Sequence, residues 1–181
     1  SFGYVEKQAT EVMGTQTVIS HAADDIVAWN QHGCLSPHVI YVEQNGSLNP
    51  SRFADMLAEE LEARNEAMPR GPISAKEAAA IATARRFYKI REANNAGAAL
   101  WESKDSTDWT VVHEDEKQFQ ISPLNRFIFV KPIEHIDEAL HVLEPIRESV
   151  STVGLAASEA RMRDLALPLA RWGVPRICPL G

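Results

Sequence analysis

The chain has 181 residues, 18 Lys plus Arg against 25 Asp plus Glu, a formal net charge of -7, and 45% hydrophobic against 24% charged residues. That is the make-up of an ordinary globular domain, long enough to bury roughly two thirds of its unfolded surface without disulfides. The acidic balance, with no basic run longer than Arg85-Arg86, argues against a nucleic-acid partner. Two widely separated cysteines, Cys34 and Cys178, no charged-then-apolar leader and no apolar run of about 18 residues lead to the expectation of a cytoplasmic protein without a membrane span.

In chain order, a short entry through Phe2, Tyr4 and Val5 is followed by Ser20, read as the start of a helix carrying Ala22, Ala23, Ile26, Val27 and Asn30 on one side. Asp24 and Asp25 fall near that predicted start, where the helix dipole favours them, and Gly33 is a natural stop. Val39 to Val42 is a β-branched and aromatic run between Pro37 and Asn45-Gly46, hence a strand. Phe53, Met56, Leu57 and Leu61 give a helix to Ala67, capped by Asn49 or Ser51. Ser74 and Glu77 form a capping box for an Ala-rich helix through Ile81, Tyr88 and Ile90 to Asn94 or Asn95, before Gly97.

Trp109 to Val112 and Phe127 to Val130 read as strands around a polar segment containing Ser122-Pro123. Ile136, Ala139, Leu140 and Leu143 then predict a short helix, and Val150 to Ala157 a strand. Met162, Leu165, Ala166 and Leu169 predict a helix that Pro168 should bend, and Val174 to Cys178 a last strand. Such alternation predicts an α/β domain, a mainly parallel sheet flanked by helices, over residues 1–181.

The nine glycines never form G-x-G-x-x-G, no Gly-Lys pair opens a phosphate loop, and no Ser stands in G-x-S-x-G. His32, Cys34 and His38 are only loosely clustered, without H-x-x-x-H or C-x-x-C, so no metal site is expected. What remains is the polar turn Gln31-His32-Gly33-Cys34-Leu35-Ser36-Pro37-His38, holding one Cys between a helix and a buried strand. A thiolate there is both a nucleophile and a leaving group, suited to accept an acyl group as a thioester and pass it on. A lone Cys is more often a small packed hydrophobe, and a helix C-terminus is the wrong end to stabilise a thiolate. Gln31, His32 and His38 are the candidates for support, while Cys178, in a strand-like run, reads as packed.

The run Ala28-Trp29-Asn30-Gln31-His32-Gly33-Cys34-Leu35-Ser36-Pro37-His38-Val39, within residues 23–43, resembles the nucleophile segment of the acyl-CoA reductases related to the long-chain fatty acyl-CoA reductase of bacterial bioluminescence, members of the aldehyde dehydrogenase superfamily. Gly173-Val174-Pro175-Arg176-Ile177-Cys178-Pro179, after Arg163-Asp164-Leu165-Ala166, is similar to the far end of the same catalytic domain, with Ser122-Pro123-Leu124 and Val153-Gly154-Leu155-Ala156 in order between them. The resemblance implies an aldehyde dehydrogenase catalytic-domain-like fold, with a nicotinamide-binding domain missing from this chain. It implies Cys34 as the acyl-accepting nucleophile for a fatty acyl-CoA, reduction to the aldehyde by NADPH, and Ser122 and Pro123 as cofactor-binding residues. It further implies acyl-transferring or acyl-activating protein partners and a homo-oligomer. Where family members carry a ribose-binding Glu before Ser122-Pro123, this chain has Phe119 and Gln120, with Glu116 offset. Two other readings stay open: a cysteine acyltransferase or thioesterase using His32 or His38, and an inert assembly domain.

Overall fold

The computed structural model describes residues 1–181. Seven strands form one sheet in the order β3-β4-β5-β2-β1-β6-β7, parallel throughout except for the β3/β4 pair at one edge. The strands are β1 Phe2–Val5, β2 Val39–Glu43, β3 Ala98–Glu102, β4 Thr110–Glu114, β5 Phe127–Ile133, β6 Val153–Ala156 and β7 Ile177–Pro179. The helices are α1 Ala9–Met13, α2 Thr15–Val27, α3 Pro50–Ala67, α4 Ala75–Ala93, α5 Ile136–Leu143 and α6 Glu159–Trp172.

The unbroken apolar runs of β2 and β5 mark strands covered on both faces. Val39, Tyr41, Phe127 and Phe129 enter a core with Ile81 and Tyr88 of α4 and with α5 and α6. The alternate residues Ile40, Val42, Ile128 and Val130 enter a second core with α1, α2 and α3. No helix is long and apolar enough to cross a membrane.

The helix expected from Phe53 to Ala67 forms and begins earlier, at Pro50, with the Asn49 side chain accepting from Arg52 N-H; the one expected from Ser74 runs from Ala75 with the Ser74-Glu77 capping box complete. The helix containing Ala22 to Val27 is longer than its pattern suggested, because it starts at Thr15. Asp24 and Asp25 therefore lie in its last turn, at the unfavourable end of the dipole, and are held by partners instead. Asp24 pairs with Arg64 of α3, and Asp25 accepts the Gly181 N-H at 3.0 Å. Asn30 lies beyond the helix, not on its face.

The entry segment is a buried inner strand, β1, flanked by β2 and β6. Its four residues include Gly3, which weakens any strand signal, yet glycine is needed there. A Cβ on Gly3 would stand 3.1 Å from Ile40 Cγ1 and 3.3 Å from Leu180 Cδ1, and one on Gly154, its register partner, 3.1 Å from the same Leu180 methyl. The edge strand β3 has no β-branched residue and escapes a propensity reading. The expected strand 150–157 is confined to Val153–Ala156, after a 3-10 turn at Glu144–Ser149, and the last strand begins only at Ile177. Helix α6 runs through Pro168 to a left-handed Gly173.

Candidate active site

Cys34 stands at the amino ends of the parallel strands, in the connection that feeds β2, and it is exposed. It lines a cavity of about 270 Å³ together with Asp25, Ala28, Trp29, Gly33, Leu35 and Ser36. Leu35 is exposed and Trp29 is 85% exposed, so the cavity has an apolar rim. The Cys34 carbonyl accepts from the hydroxyls of Ser1 at 2.7 Å and Ser151 at 3.1 Å. Its N-H, like that of Leu35, donates to no other group of the chain.

The turn that presents Cys34 has unusual backbone geometry. Trp29, Asn30 and Gln31 all have positive φ, at 52, 50 and 69 degrees, as do Leu124, Asn125 and Arg126 at 63, 57 and 64 degrees. Left-handed conformations cost a non-glycine residue about 1–2 kcal/mol each, so two such triplets require compensation. They find it in each other. Asn125 N-H donates to the Asn30 carbonyl at 3.1 Å, and Arg126 Nε donates to Asn30 Oδ1 at 3.0 Å. Asn30 Nδ2 in turn donates to the Arg70 carbonyl, while Arg126 Nη1 reaches Asn65 Oδ1 and the Met68 carbonyl at 3.1 Å each.

Gln31 completes this clasp. Its buried amide donates to the carbonyls of Pro37 at 2.7 Å and Phe127 at 2.9 Å, and its Oε1 accepts the Phe127 N-H at 2.9 Å. Both donors and one acceptor of the side chain are spent on main chain, so Gln31 bridges the Cys34 turn to β5.

The two histidines face the clasp and make no hydrogen bond to the Cys34 sulfur. His32 Nε2 meets Asn125 Oδ1 at 3.1 Å and lies 3.9 Å from Glu77. The Glu77 carboxyl is pulled down to about 2 by hydrogen bonds from the Ser74 side chain and main chain, and from Asn125. His38 Nδ1 accepts the Ser122 N-H at 3.2 Å and lies 3.2 Å from Ser122 Oγ, with the edge of Phe119 against its ring. Burial holds His38 below the ordinary histidine range. Cys178 is half-buried, its thiol pushed up by burial and then by Asp25, which fits a packed role.

The structure thus brings Gln31, His32, Cys34, His38 and Ser122 into one assembly of two crossing segments. Sequence reasoning missed Asn30, Asn125 and Arg126, which lock them. The available signal was asparagine itself, which adopts left-handed backbone more readily than most residues. Ser122 is buried, with its hydroxyl accepting Leu124 N-H, and Pro123 is half-buried.

Solved structures share the fold. The chain superposes on the bifunctional proline utilization A (PutA) protein with a TM-score of 0.68 at 14% identity, over 98% of this chain and 18% of that one. For an NAD-dependent benzaldehyde dehydrogenase from Corynebacterium glutamicum the TM-score is 0.60 at 14% identity, over 100% and 39%. For a putative aldehyde dehydrogenase PutA from Anabaena variabilis it is 0.56 at 20%, over 99% and 39%. The chain therefore spans well under half the length of these structures, and its fold is that of aldehyde dehydrogenase catalytic domains. Among curated proteins, none matches. The family model for acyl-CoA reductase (LuxC) matches residues 1–181 from end to end, and the chain belongs to that family.

Proposed function

We propose that the chain carries the acyl-accepting half of an NADPH-dependent reduction of fatty acyl-CoA thioesters to aldehydes, with Cys34 as nucleophile. The observation that carries this reading is the exposed Cys34 thiol in a cavity with apolar walls, beside main-chain N-H groups that donate to nothing else. Cys34 Sγ attacks the thioester carbonyl carbon. The bond from that carbon to the CoA sulfur breaks, CoA leaves as the thiol with the proton Cys34 gave up, and the acyl group remains on Cys34 as a new thioester. One thioester replaces another, so the exchange is near thermoneutral. The tetrahedral oxyanion on the way is a ligand for the free Cys34 N-H, and such donors count most where water is excluded. Trp29 and Leu35 offer apolar surface to the methylenes next to the carbonyl, at about 0.8 kcal/mol per CH₂ buried.

NADPH, when bound, supplies the hydride that takes the acyl thioester to the aldehyde. We assign its binding mainly to a nicotinamide-binding domain outside residues 1–181, with Ser122 and Pro123 contributing from this chain; what supports the assignment is that the nine glycines form no G-x-G-x-x-G turn. An acyltransferase or thioesterase would need an imidazole on the sulfur, and both candidates are engaged elsewhere.

The test is intact mass after incubation with a long-chain acyl-CoA. A gain of one acyl group that persists in Cys178→Ala and vanishes in Cys34→Ala is expected. A folded chain whose Cys34 reacts with iodoacetamide but takes no acyl group from acyl-CoA overturns the acyl-accepting role for these residues.

A further inference from the structure

We propose that His38 is a positioning residue that latches the 122–127 segment against the Cys34 turn, and that protonation of its ring opens the latch and slows acylation of Cys34. The Ser122 main-chain N-H points at His38 Nδ1 at 3.2 Å, and only an unprotonated Nδ1 can accept it. Neutral His38 must therefore carry its proton on Nε2. If Nδ1 gains a proton, two N-H groups face each other; the Ser122 hydroxyl can rotate to accept, but the peptide N-H cannot.

The consequence reaches the thiol through a short path. Ser122 begins the stretch whose Asn125, Arg126 and Phe127 hold Asn30 and Gln31, and those residues shape the left-handed turn before Cys34. His38 itself lies one residue past Pro37, whose carbonyl is bound by Gln31. One imidazole thus closes the far end of a clasp whose near end presents the nucleophile.

The surroundings favour the closed, neutral form. Ser122 and the Phe119 edge face the ring from the loop before β5, and the amino group of Ser1 faces it from the start of β1. No carboxylate is among its neighbours to stabilise an imidazolium, and burial depresses its protonation. For a base held below its ordinary value in the closed state, the open state binds the proton more tightly. The latch is therefore intact above about pH 6.5, the ordinary histidine value, and weakens as pH falls below it.

The role in acylation rests on the functional reading above, whereas the latch does not, and the experiment separates them. The first arm follows the Ser122 amide resonance and its hydrogen exchange in the 181-residue chain as pH is lowered through the titration of the His38 ring. Expected is a shift of the amide and a loss of protection that track His38. A Ser122 amide indifferent to that titration overturns the latch.

The second arm measures Cys34 acylation by acyl-CoA against pH. If only thiolate fraction matters, the rate falls tenfold per pH unit. The latch adds a second proton, steepening the fall toward a hundredfold per unit once His38 titrates. His38→Asn, whose Oδ1 accepts the same N-H at every pH, should restore the tenfold slope. His38→Ala, permanently open, should be slow at neutral pH and also fall tenfold per unit. Parallel wild-type and His38→Asn profiles of tenfold slope overturn the proposal. If no acyl group is taken up at any pH, the functional reading fails, and the Ser122 amide together with the iodoacetamide rate of Cys34 still decides the latch.

Discussion

The two ends of the parallel sheet are built in opposite ways. At the carboxyl ends, charged side chains are sealed inside: Glu114 and Lys131 are fully buried, 3.0 Å apart, and Lys131 Nζ also donates to the carbonyls of Glu116 and Gln118. Arg91 adds a second cation to Glu114, and Tyr88 donates to it at 3.2 Å. Beside them Tyr4 donates to Glu43, and Glu6 is 1% exposed. At the amino ends, strained turns hold an exposed thiol, Trp29 projects into solvent, and Ile121 is 79% exposed. Open α/β sheets usually bind ligands beyond their carboxyl ends, but here that end is filled. The free nucleophile and the uncovered apolar surface lie at the other.

If that contrast is right, the largest loss of stability should come from the sealed end with little effect on the thiol. Lys131→Met leaves Glu114 buried with one cation fewer and frees two carbonyls of the 115–121 loop. Breaking a buried pair from one side costs about 3–5 kcal/mol, and the retained Arg91 places this variant near the lower figure. Denaturant unfolding should show that loss, with Cys34 alkylation in the still-folded protein within about twofold of wild type. A loss below 1 kcal/mol would mean that the carboxyl end is wetter than its burial indicates.

The open end should respond in the reverse proportion. Gln31→Leu keeps roughly the side-chain volume but strips partners from Pro37 O, Phe127 O and Phe127 N-H. Each buried main-chain group left unpaired costs about 1–3 kcal/mol, so even at the lower figure the three together put the loss at about 3 kcal/mol. The turn should also relax toward right-handed backbone, changing the Cys34 alkylation rate several-fold, which Lys131→Met should not do. Equal alkylation rates in the two variants would remove the distinction between the ends.

This contrast also separates what sequence could and could not reveal. Continuous apolar runs at β2 and β5 and the Ser74-Glu77 box are local statements, and they were legible. Cys34 stood out because nothing else in the chain offered a nucleophile in a polar turn. The clasp was not legible, since Asn30 and Arg126 are 96 residues apart and acquire meaning only when their left-handed turns meet. β1 was hidden for a related reason: Gly3 lowers strand propensity locally and is explained only by its distant neighbours, Ile40 and, from the far end of the chain, Leu180. Asp24 and Asp25 were misplaced because a helix start was inferred from Ser20, whose hydroxyl instead accepts from Arg64 of α3 at 2.7 Å.

A smaller effect tests whether the exposed aromatic at the open end serves stability at all. Trp29 has a φ of 52 degrees and is largely in solvent. Trp29→Gly relieves the left-handed strain but increases the freedom of the unfolded chain, so the two effects oppose each other and the net change should stay within about 1 kcal/mol. Acylation by a long-chain acyl-CoA should slow, because the cavity loses its largest apolar wall, while alkylation by small iodoacetamide should not. Equal slowing with both reagents would make Trp29 a prop for the turn rather than a surface for the acyl chain.

The smallest expected change lies at the sealed end and is a gain. Glu6 Oε1 is buried without a partner, and its carboxyl is pushed up by burial, partly offset by the Gln8 N-H, with nearby Glu43 pushing it further up. A carboxyl raised in the folded state binds its proton more tightly there than in the unfolded chain. Its favourable contribution is therefore present below the unfolded value near 4.5 and is lost as pH rises through the folded one. Glu6→Gln holds a neutral donor at every pH and should stabilise the protein by on the order of 1 kcal/mol at pH 7, the scale of one unmade buried hydrogen bond. Below pH 4 the two proteins should converge. A gain that persists undiminished at low pH would come from packing rather than charge.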